Sequence, residues 1–274
     1  AASVAEPCFP IQAAHGHLEE LSRLEWDYVF LPSHINEEQG PLDPPSLQSH
    51  LCPWGQTLPF VLAHSPAAAP KERVLSPLLH FREGEKFVER ELWNSFRPLI
   101  KKRSVHRAAV ALAYAAQRAF TSSLLEKGEE ALKAIDEANE SAIVLIGRPY
   151  NLSDPGLNMG IPSRLRRDYG VNVIPMDFIP SANVEIAPLN DNMFWAYGRR
   201  ILQTALWSGK RANMHLIYLT NFKCGPDSYL KTFAAKGALK PFLTLQFDAH
   251  AGDAGMMTRC EAYLDSKGLL RWWR

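Results

Sequence analysis

Three of the four cysteines lie in short segments that are rich in proline and glycine. Cys8, Cys52 and Cys224 each have a proline within two residues. Rigid loops of this kind suit thiolates that hold a metal centre, because proline restricts the backbone and removes competing N–H groups. The fourth cysteine, Cys260, lies in a segment with a helical pattern and is predicted to be structural.

The spacing of the three cysteines leaves their chemistry open. They are 44 and 172 residues apart, which matches no zinc-ribbon or ferredoxin pattern. Spacing alone leaves three interpretations open: a shared metal centre, a single reactive Cys224, or three unrelated thiols. Cys224 lies on a Gly-Pro turn that opens a predicted helix, and a helix N-terminus favours the thiolate form. A hydrolase that used Cys224 as its nucleophile would need a base, for which His250 is the candidate.

Further candidates lie in the loops that follow predicted strands of the C-terminal half. In an open parallel sheet, ligands bind beyond the carboxyl ends of the strands. Arg148 is read either as an anion clamp or as a salt-bridge partner at a strand end. The segment 248–253 is read either as a hard-metal site or as a hydrogen-bonded loop and helix cap. The candidate cofactor-binding residues in these loops are Arg148, Asn151, Asn158, Asp227, Ser228 and His250.

Regular alternation of strands and helices in the C-terminal half positions these loops. The apolar run 142–146 is typical of a strand that is buried on both faces. The pattern predicts an α/β fold with a Rossmann-like, doubly wound parallel sheet in this lobe. The predicted strands cover 142–146, 171–175, 215–219 and 241–245, and the predicted helices cover 159–168, 192–208, 227–236 and 254–264.

The N-terminal half gives a less complete pattern. It predicts an incomplete, smaller α/β lobe joined to a helical bridge. The expected elements are a helix at 15–24, a strand at 26–31, a loop at 33–50, a weak strand at 58–62, and helices at 84–100, 104–125 and 129–139. The domain limits expected from this pattern are 1–100, 101–140 and 141–274.

Composition excludes several classes of protein. The chain has 274 residues, 46% of them hydrophobic, which is too apolar for a disordered protein. Thirty basic and 29 acidic side chains nearly cancel, which disfavours a generic nucleic-acid binder. The longest segment without charged residues, 44–70, contains six prolines and cannot form a spanning helix. The N-terminus lacks the features of a secretion signal, so we expect a cytoplasmic protein with reduced thiols.

Five motifs occur in an order that resembles a known family. They are Cys8-Phe9-Pro10 with His15-Gly16-His17, Cys52-Pro53, Gly147-Arg148-Pro149-Tyr150-Asn151, Cys224-Gly225-Pro226-Asp227-Ser228, and Asp253-Ala254-Gly255 with Thr258-Arg259. This set resembles the 2-hydroxyacyl-CoA dehydratase component-D-related domain of acyl-CoA dehydratase activase-related (BcrA/BadF-associated) proteins. The family's domain usually begins with a strand and a helix before the first cysteine motif, so we expect an excised fragment with an incomplete first lobe.

The resemblance implies a function and a set of ligands. Rossmann-like lobes of the related subunits hold a 4Fe–4S cluster in the cleft between them, with three cysteine ligands and one exchangeable position. Carried over by motif, the ligands here are Cys8, Cys52 and Cys224. The implied chemistry is low-potential electron transfer driven by ATP hydrolysis in an activase, which makes a dehydratase- or reductase-type component one option.

The resemblance also implies partners. These are an ATP-dependent activase domain or protein and, as options, a CoA thioester or other small acceptor and a second copy of the chain. No nucleic acid and no membrane are expected. The alternative reading is a non-catalytic α/β binding or scaffolding domain with at most a zinc or small-anion site.

Overall fold

The computed structural model describes residues 6–40, 48–250 and 252–270, and the chain forms two compact units. The first comprises Ala1–Thr121 with Phe194–Ala196, and the second comprises Ser122–Met193 with Tyr197–Arg274. The domain limits expected from the sequence stay a prediction. None of the helices in the described part is both long and apolar enough to cross a membrane.

The first unit contains two short pairs of parallel strands and the helices that flank them. Strand β1 pairs with β3, and β2 pairs with β4. The elements are α1 (Phe9–Ser22), β1 (Val29–Phe30), β2 (Ser33–Asn36), α2 (Pro53–Leu62), β3 (Val74–Leu75), β4 (Leu78–His80), α3 (Glu85–Phe96) and the beginning of α4 (Arg103–Glu137).

Two expectations for this unit are wrong. The segment 33–50, expected as a loop, contains β2. Its polar sequence does not indicate a strand, but pairing with β4 supplies the backbone hydrogen bonds that form one. The run 58–62, expected as a weak strand, is the end of helix α2. Proline at the first position of α2 favours a helix start, and Leu62 packs with Leu18 and Val29 in a buried cluster.

The second unit contains a four-stranded parallel sheet in the order β6-β5-β7-β8. All six residues of β5 are buried, as its continuous apolar sequence predicts. This arrangement confirms the α/β class and the Rossmann-like sheet. The strands are β5 (Ala142–Gly147), β6 (Asn172–Pro175), β7 (Met214–Asn221) and β8 (Leu243–Phe247), and the helices that follow α4 are α5 (Pro149–Ser153), α6 (Pro155–Asn158), α7 (Ile161–Tyr169), α8 (Ala196–Gly209), α9 (Gly225–Ala238) and α10 (Asp253–Ser266).

Helix α4 is continuous where the sequence predicts two helices, 104–125 and 129–139. The predicted break rests on Gly128, which does not end the helix. A β-carbon on Gly128 would overlap the backbone carbonyl of Phe178. Glycine is therefore required here for close packing of the helix against a neighbouring segment, not for a turn.

We expect Gly128→Ala to lower the free energy of unfolding by about 1–3 kcal/mol, because the new methyl group meets backbone that has to shift. Urea unfolding followed by circular dichroism measures the change. Gly255→Ala in α10 is the matched control, since a β-carbon there meets nothing within 4 Å. This control should be neutral or stabilising. Equal effects of the two variants would show that the contact with Phe178 is not the reason for glycine at position 128.

Candidate functional site

Three cysteines share one local position in the fold. Cys8, Cys52 and Cys224 are the N-cap residues of α1, α2 and α9, each with an extended backbone (ψ of 155°, 153° and 100°). Each helix also has proline in its first or second position. Each thiol therefore lies at a rigid helix N-terminus, where the exposed N–H groups and the helix dipole favour negative charge.

The first two cysteine segments share a further device that our reading of the sequence missed. The glutamine four residues after each cysteine donates a hydrogen bond to the carbonyl immediately before it. Gln12 Nε2 lies 2.7 Å from the oxygen of Pro7, and Gln56 Nε2 lies 2.7 Å from the oxygen of Leu51. The recurring Cys-x-x-x-Gln pattern was the available signal. The glutamine hydrogen bond fixes the backbone of the residue that precedes each N-cap cysteine.

The sulfur of Cys52 already acts as a hydrogen-bond acceptor. The backbone N–H of Gly55 donates to Cys52 Sγ at 3.4 Å, which satisfies one of the unpaired donors at the beginning of α2. Such a donor stabilises a thiolate more than a neutral thiol. The geometry thus suits a sulfur that carries negative charge.

Cys260 contrasts with these three residues. It lies inside α10, is fully buried, and burial raises the pKa of its thiol to about 11. Its sulfur therefore stays protonated at neutral pH and packs as a small apolar group.

Cys224 and Arg148 lie at the point in the sheet where the chain order reverses. Strand β5 is at the centre, with its sequence successor β6 on one side and β7 on the other. The carboxyl ends of adjacent strands β5 and β7 therefore form the crevice in which open α/β sheets bind ligands. Arg148 directly follows β5 and caps α5, and Cys224 follows β7 and caps α9.

A buried ion pair joins these two strand ends. Arg148 Nε donates to Asp227 Oδ1 at 3.1 Å, and Thr220 Oγ1 donates to Asp227 Oδ2 at 2.6 Å. Arg148 and Asp227 are 3% and 1% exposed. Burial alone would lower the pKa of Arg148, but the electrostatic effect of Asp227 outweighs it, with smaller contributions from Tyr150, Cys224 and Tyr218, so the pKa is raised. The guanidinium therefore stays positive beside Cys224. This result favours the salt-bridge reading of Arg148.

The same end of the sheet has buried polar atoms that keep hydrogen-bonding capacity. Within the described residues, Arg148 Nη2, Asn151 Oδ1 and Asn221 Nδ2 have no hydrogen-bond partner. Asn151 is held by its other amide atom, which donates to the carbonyl of Leu219 at 3.3 Å. Asn158 Nδ2 in turn donates to the carbonyl of Asn151 at 3.0 Å. Two donors and one acceptor are thus left for a ligand or for water.

Ser228 supports the beginning of α9. Its hydroxyl donates to the carbonyl of Cys224 at 2.9 Å, alongside the backbone N–H of Ser228 at 3.0 Å. Ser228 therefore contacts the backbone of the cysteine and helps to fix its position at the N-cap.

His250 lies on the loop after β8 and is exposed. Its backbone N–H donates to Asp248 Oδ1 at 2.8 Å, and Asp253 forms an ion pair with Arg164. The carboxylates of this loop thus serve the loop itself and a neighbouring helix. Of the two readings of 248–253, these contacts favour the hydrogen-bonded loop, although no side chain caps α10, whose N-cap residue is Gly252.

The predicted site residues are divided between the two units of the chain. Cys224, Arg148, Asn151, Asn158, Asp227 and Ser228 lie together in the second unit, while Cys8 and Cys52 belong to the first. Across residues 6–40, 48–250 and 252–270, no three or more His, Cys, Asp or Glu side chains form a group that could hold a metal ion. Thr220 and Asn221 were missed as site residues, although polar residues at the end of an apolar strand were a readable signal.

Comparison of the chain with models of known protein families gives a match. The model described as "CoA enzyme activase uncharacterised domain (DUF2229)" matches residues 1–179, more than half of the 274 residues. The chain belongs to this family. Neither the curated proteins nor the solved structures give a match.

The match covers part of the site of this CoA enzyme activase domain. Cys8, Cys52 and the segment from Arg148 to Asn158 lie within it. Cys224, Asp227, Ser228 and His250 lie beyond residue 179. The activase-related part of the resemblance is thus confirmed.

Proposed function

We propose that this activase-family chain is an iron–sulfur redox domain related to 2-hydroxyacyl-CoA dehydratase subunits. Cys8, Cys52 and Cys224 would hold a 4Fe–4S cluster that serves low-potential electron transfer. The observation that carries the proposal is that these three thiols share the N-cap position, whereas Cys260 is buried within a helix.

The donor set fits such a group. Iron–sulfur clusters are bound by cysteine thiolates, and helix N-termini and N–H···S bonds stabilise the negative charge of the bound cluster. Three thiolates for four irons leave one iron open to a small acceptor, as in the related subunits. The cluster would supply one-electron chemistry at this open position.

The surrounding side chains have roles of their own in this proposal. The Arg148–Asp227 pair fixes the charge beside Cys224, and Ser228 holds the backbone of that cysteine. Asn151 and Asn221 supply polar groups that orient a bound molecule at the end of the sheet, and Asn158 holds the backbone of Asn151 in place. The partners in the proposal are an ATP-dependent activase and a CoA thioester or similar acceptor, in the cytoplasm, where thiols stay reduced.

Anaerobic reconstitution tests the proposal. The chain is purified without oxygen, incubated with ferrous iron, sulfide and a thiol reductant, and desalted. We expect about four irons and about four sulfides per chain, and an EPR signal after reduction by dithionite. A colourless protein that binds no iron under these conditions would overturn the assignment.

A second candidate is a non-catalytic α/β binding domain with a zinc or small-anion site. It is favoured by the buried donors Arg148 Nη2 and Asn221 Nδ2, which have no hydrogen-bond partner among the described residues and suit a small anion. It predicts zinc or no metal in the anaerobically purified protein. Metal analysis of one preparation separates the two candidates.

A further inference from the structure

Basic residues from three segments of the second unit meet at the amino end of its parallel sheet, opposite the end that forms the candidate functional site. Arg211 precedes β7, Lys240 precedes β8, and Lys267 follows α10, the helix that runs back along the sheet from β8. His215 is the second residue of β7. We call His215, Lys240 and Lys267 the basic cluster.

Direct contacts hold these three segments together. Lys240 Nζ donates a hydrogen bond to the carbonyl oxygen of Arg211 at 2.6 Å, which joins the loops before β8 and β7. The hydroxyl of Tyr263 in α10 donates to the carbonyl oxygen of Pro241 at 3.5 Å. Lys267 Nζ lies 5.3 Å from the centre of the Tyr263 ring. The fold therefore fixes the positions from which both lysines extend.

His215 lies beside Lys240 at this end of the sheet. Strands β7 and β8 pair with Ile217 opposite Leu243, which places His215 opposite the residue after Lys240. His215 Nδ1 is buried and has no hydrogen-bond partner within the described residues. Burial, and then the charges of Lys240 and Lys267, lower the pKa of His215 to about 4. The imidazole is therefore neutral at neutral pH and has one N–H to donate.

The two lysines of the basic cluster form no ion pair with any residue that the structure describes. Burial, and then repulsion by Lys267, lowers the pKa of Lys240. Asp136, near the loop before β7, accepts a hydrogen bond from Asn213 at 3.1 Å. Asp265 is two positions before Lys267, a spacing at which side chains of a helix do not face each other. The cluster therefore carries a local excess of positive charge that an anion would neutralise.

We propose that the basic cluster binds a phosphate dianion, either free or as the terminal group of a phosphate ester. The double charge of the dianion matches the two ammonium groups, whereas chloride or a single carboxylate would neutralise only one. Lys240 uses two of its three hydrogens for backbone carbonyls and keeps one for the ligand. The two lysines and the imidazole can each donate to a different oxygen of the tetrahedral group. This inference does not rest on the iron–sulfur proposal.

Calorimetric titration of the cluster-free chain with inorganic phosphate and with phenyl phosphate, at constant ionic strength, tests the site. We expect saturable binding and an unfolding temperature that rises with the concentration of the anion. Lys240→Met and Lys267→Met should each weaken binding about tenfold or more, because each removes a charged hydrogen-bond donor. Lys236→Met is the matched control, since it removes a lysine from the last turn of α9 and should leave binding unchanged.

The imidazole of His215 gives a readout at the site itself. Its NMR ring signals, identified by their loss in His215→Gln, should shift with phosphate at about pH 7.5, where a phosphate ester is mainly a dianion. Tighter binding of phenyl phosphate would assign the site to an ester, and tighter binding of inorganic phosphate to the free anion. Circular dichroism confirms that each variant is folded.

Two results would overturn the proposal. One is a wild type that phosphate and phenyl phosphate stabilise no more than sodium chloride does at the same ionic strength. The other is binding to Lys240→Met and Lys267→Met that is as tight as binding to the wild type, because the anion would then be held elsewhere.

Discussion

Replacing Cys224 with serine is expected to lower the iron content of the reconstituted protein from about four to about three per chain or fewer, with loss of the wild-type EPR signal. The hydroxyl oxygen is a poor substitute for a thiolate on iron. Serine is, however, among the best N-cap residues, so the beginning of α9 is kept or stabilised. The loss of iron can therefore be separated from a loss of folding. Cys8→Ser and Cys52→Ser should behave in the same way, because both residues are N-caps.

Cys260→Ser is the control, and it should show the reverse pattern. It places a hydroxyl in a fully buried position inside α10, which is expected to lower the free energy of unfolding by about 1–3 kcal/mol, while the iron content stays at the wild-type value. Iron analysis and urea unfolding of all four variants give the comparison. A Cys224→Ser protein that retained the full cluster would remove Cys224 from the ligand set.

The pattern of strands was predictable where burial leaves little choice. The run from Ala142 to Ile146 is apolar at every position because β5 is covered on both faces, and a strand of that kind has a recognisable sequence. The helices that follow β7 and β8 were likewise predicted within a few residues. Strict alternation of such segments determines a parallel sheet with helical crossovers.

The errors lie where distant segments decide local structure. Gly128 suggested a helix break, but the carbonyl of Phe178, fifty residues away, is the reason for glycine there. Strand β2 is short and polar and β4 has only three residues, and the two strands exist because they pair with each other. No local pattern reports such a pairing, which explains why the first unit was predicted less well than the second.

The candidate site, like the fold, could be predicted from local sequence only in part. The loops that contain Arg148 and Cys224 could be placed at one end of the sheet from the strand pattern alone. The partner of Arg148 could not be predicted from the sequence. Arg148 and Asp227 are 79 residues apart, and either residue could have formed an ion pair with another side chain at the surface. That both are buried is a property of the fold, and it has a large energetic consequence.

Asp227→Ala is expected to lower the free energy of unfolding by about 3–5 kcal/mol. Arg148 is 3% exposed and would be left as an unpaired charge, because Asp227 accepts its hydrogen bond from within the buried end of the sheet. Thr220 Oγ1 would also lose its acceptor. Urea unfolding followed by circular dichroism measures the loss.

Two controls separate charge from packing. The double variant Arg148→Met/Asp227→Leu removes both charges and should recover much of the stability that Asp227→Ala loses, because buried ion pairs are often replaceable by apolar residues. Glu130→Ala removes the carboxylate of an exposed ion pair with Lys127, and it should leave the unfolding midpoint unchanged. If the double variant is no more stable than Asp227→Ala, the cost arises from lost packing, and the buried charge of Arg148 is not its cause.

The double variant also keeps Cys224 at the N-cap of α9. Its iron content therefore reports whether the ion pair is needed for the thiol to bind iron or only for the stability of this end of the sheet.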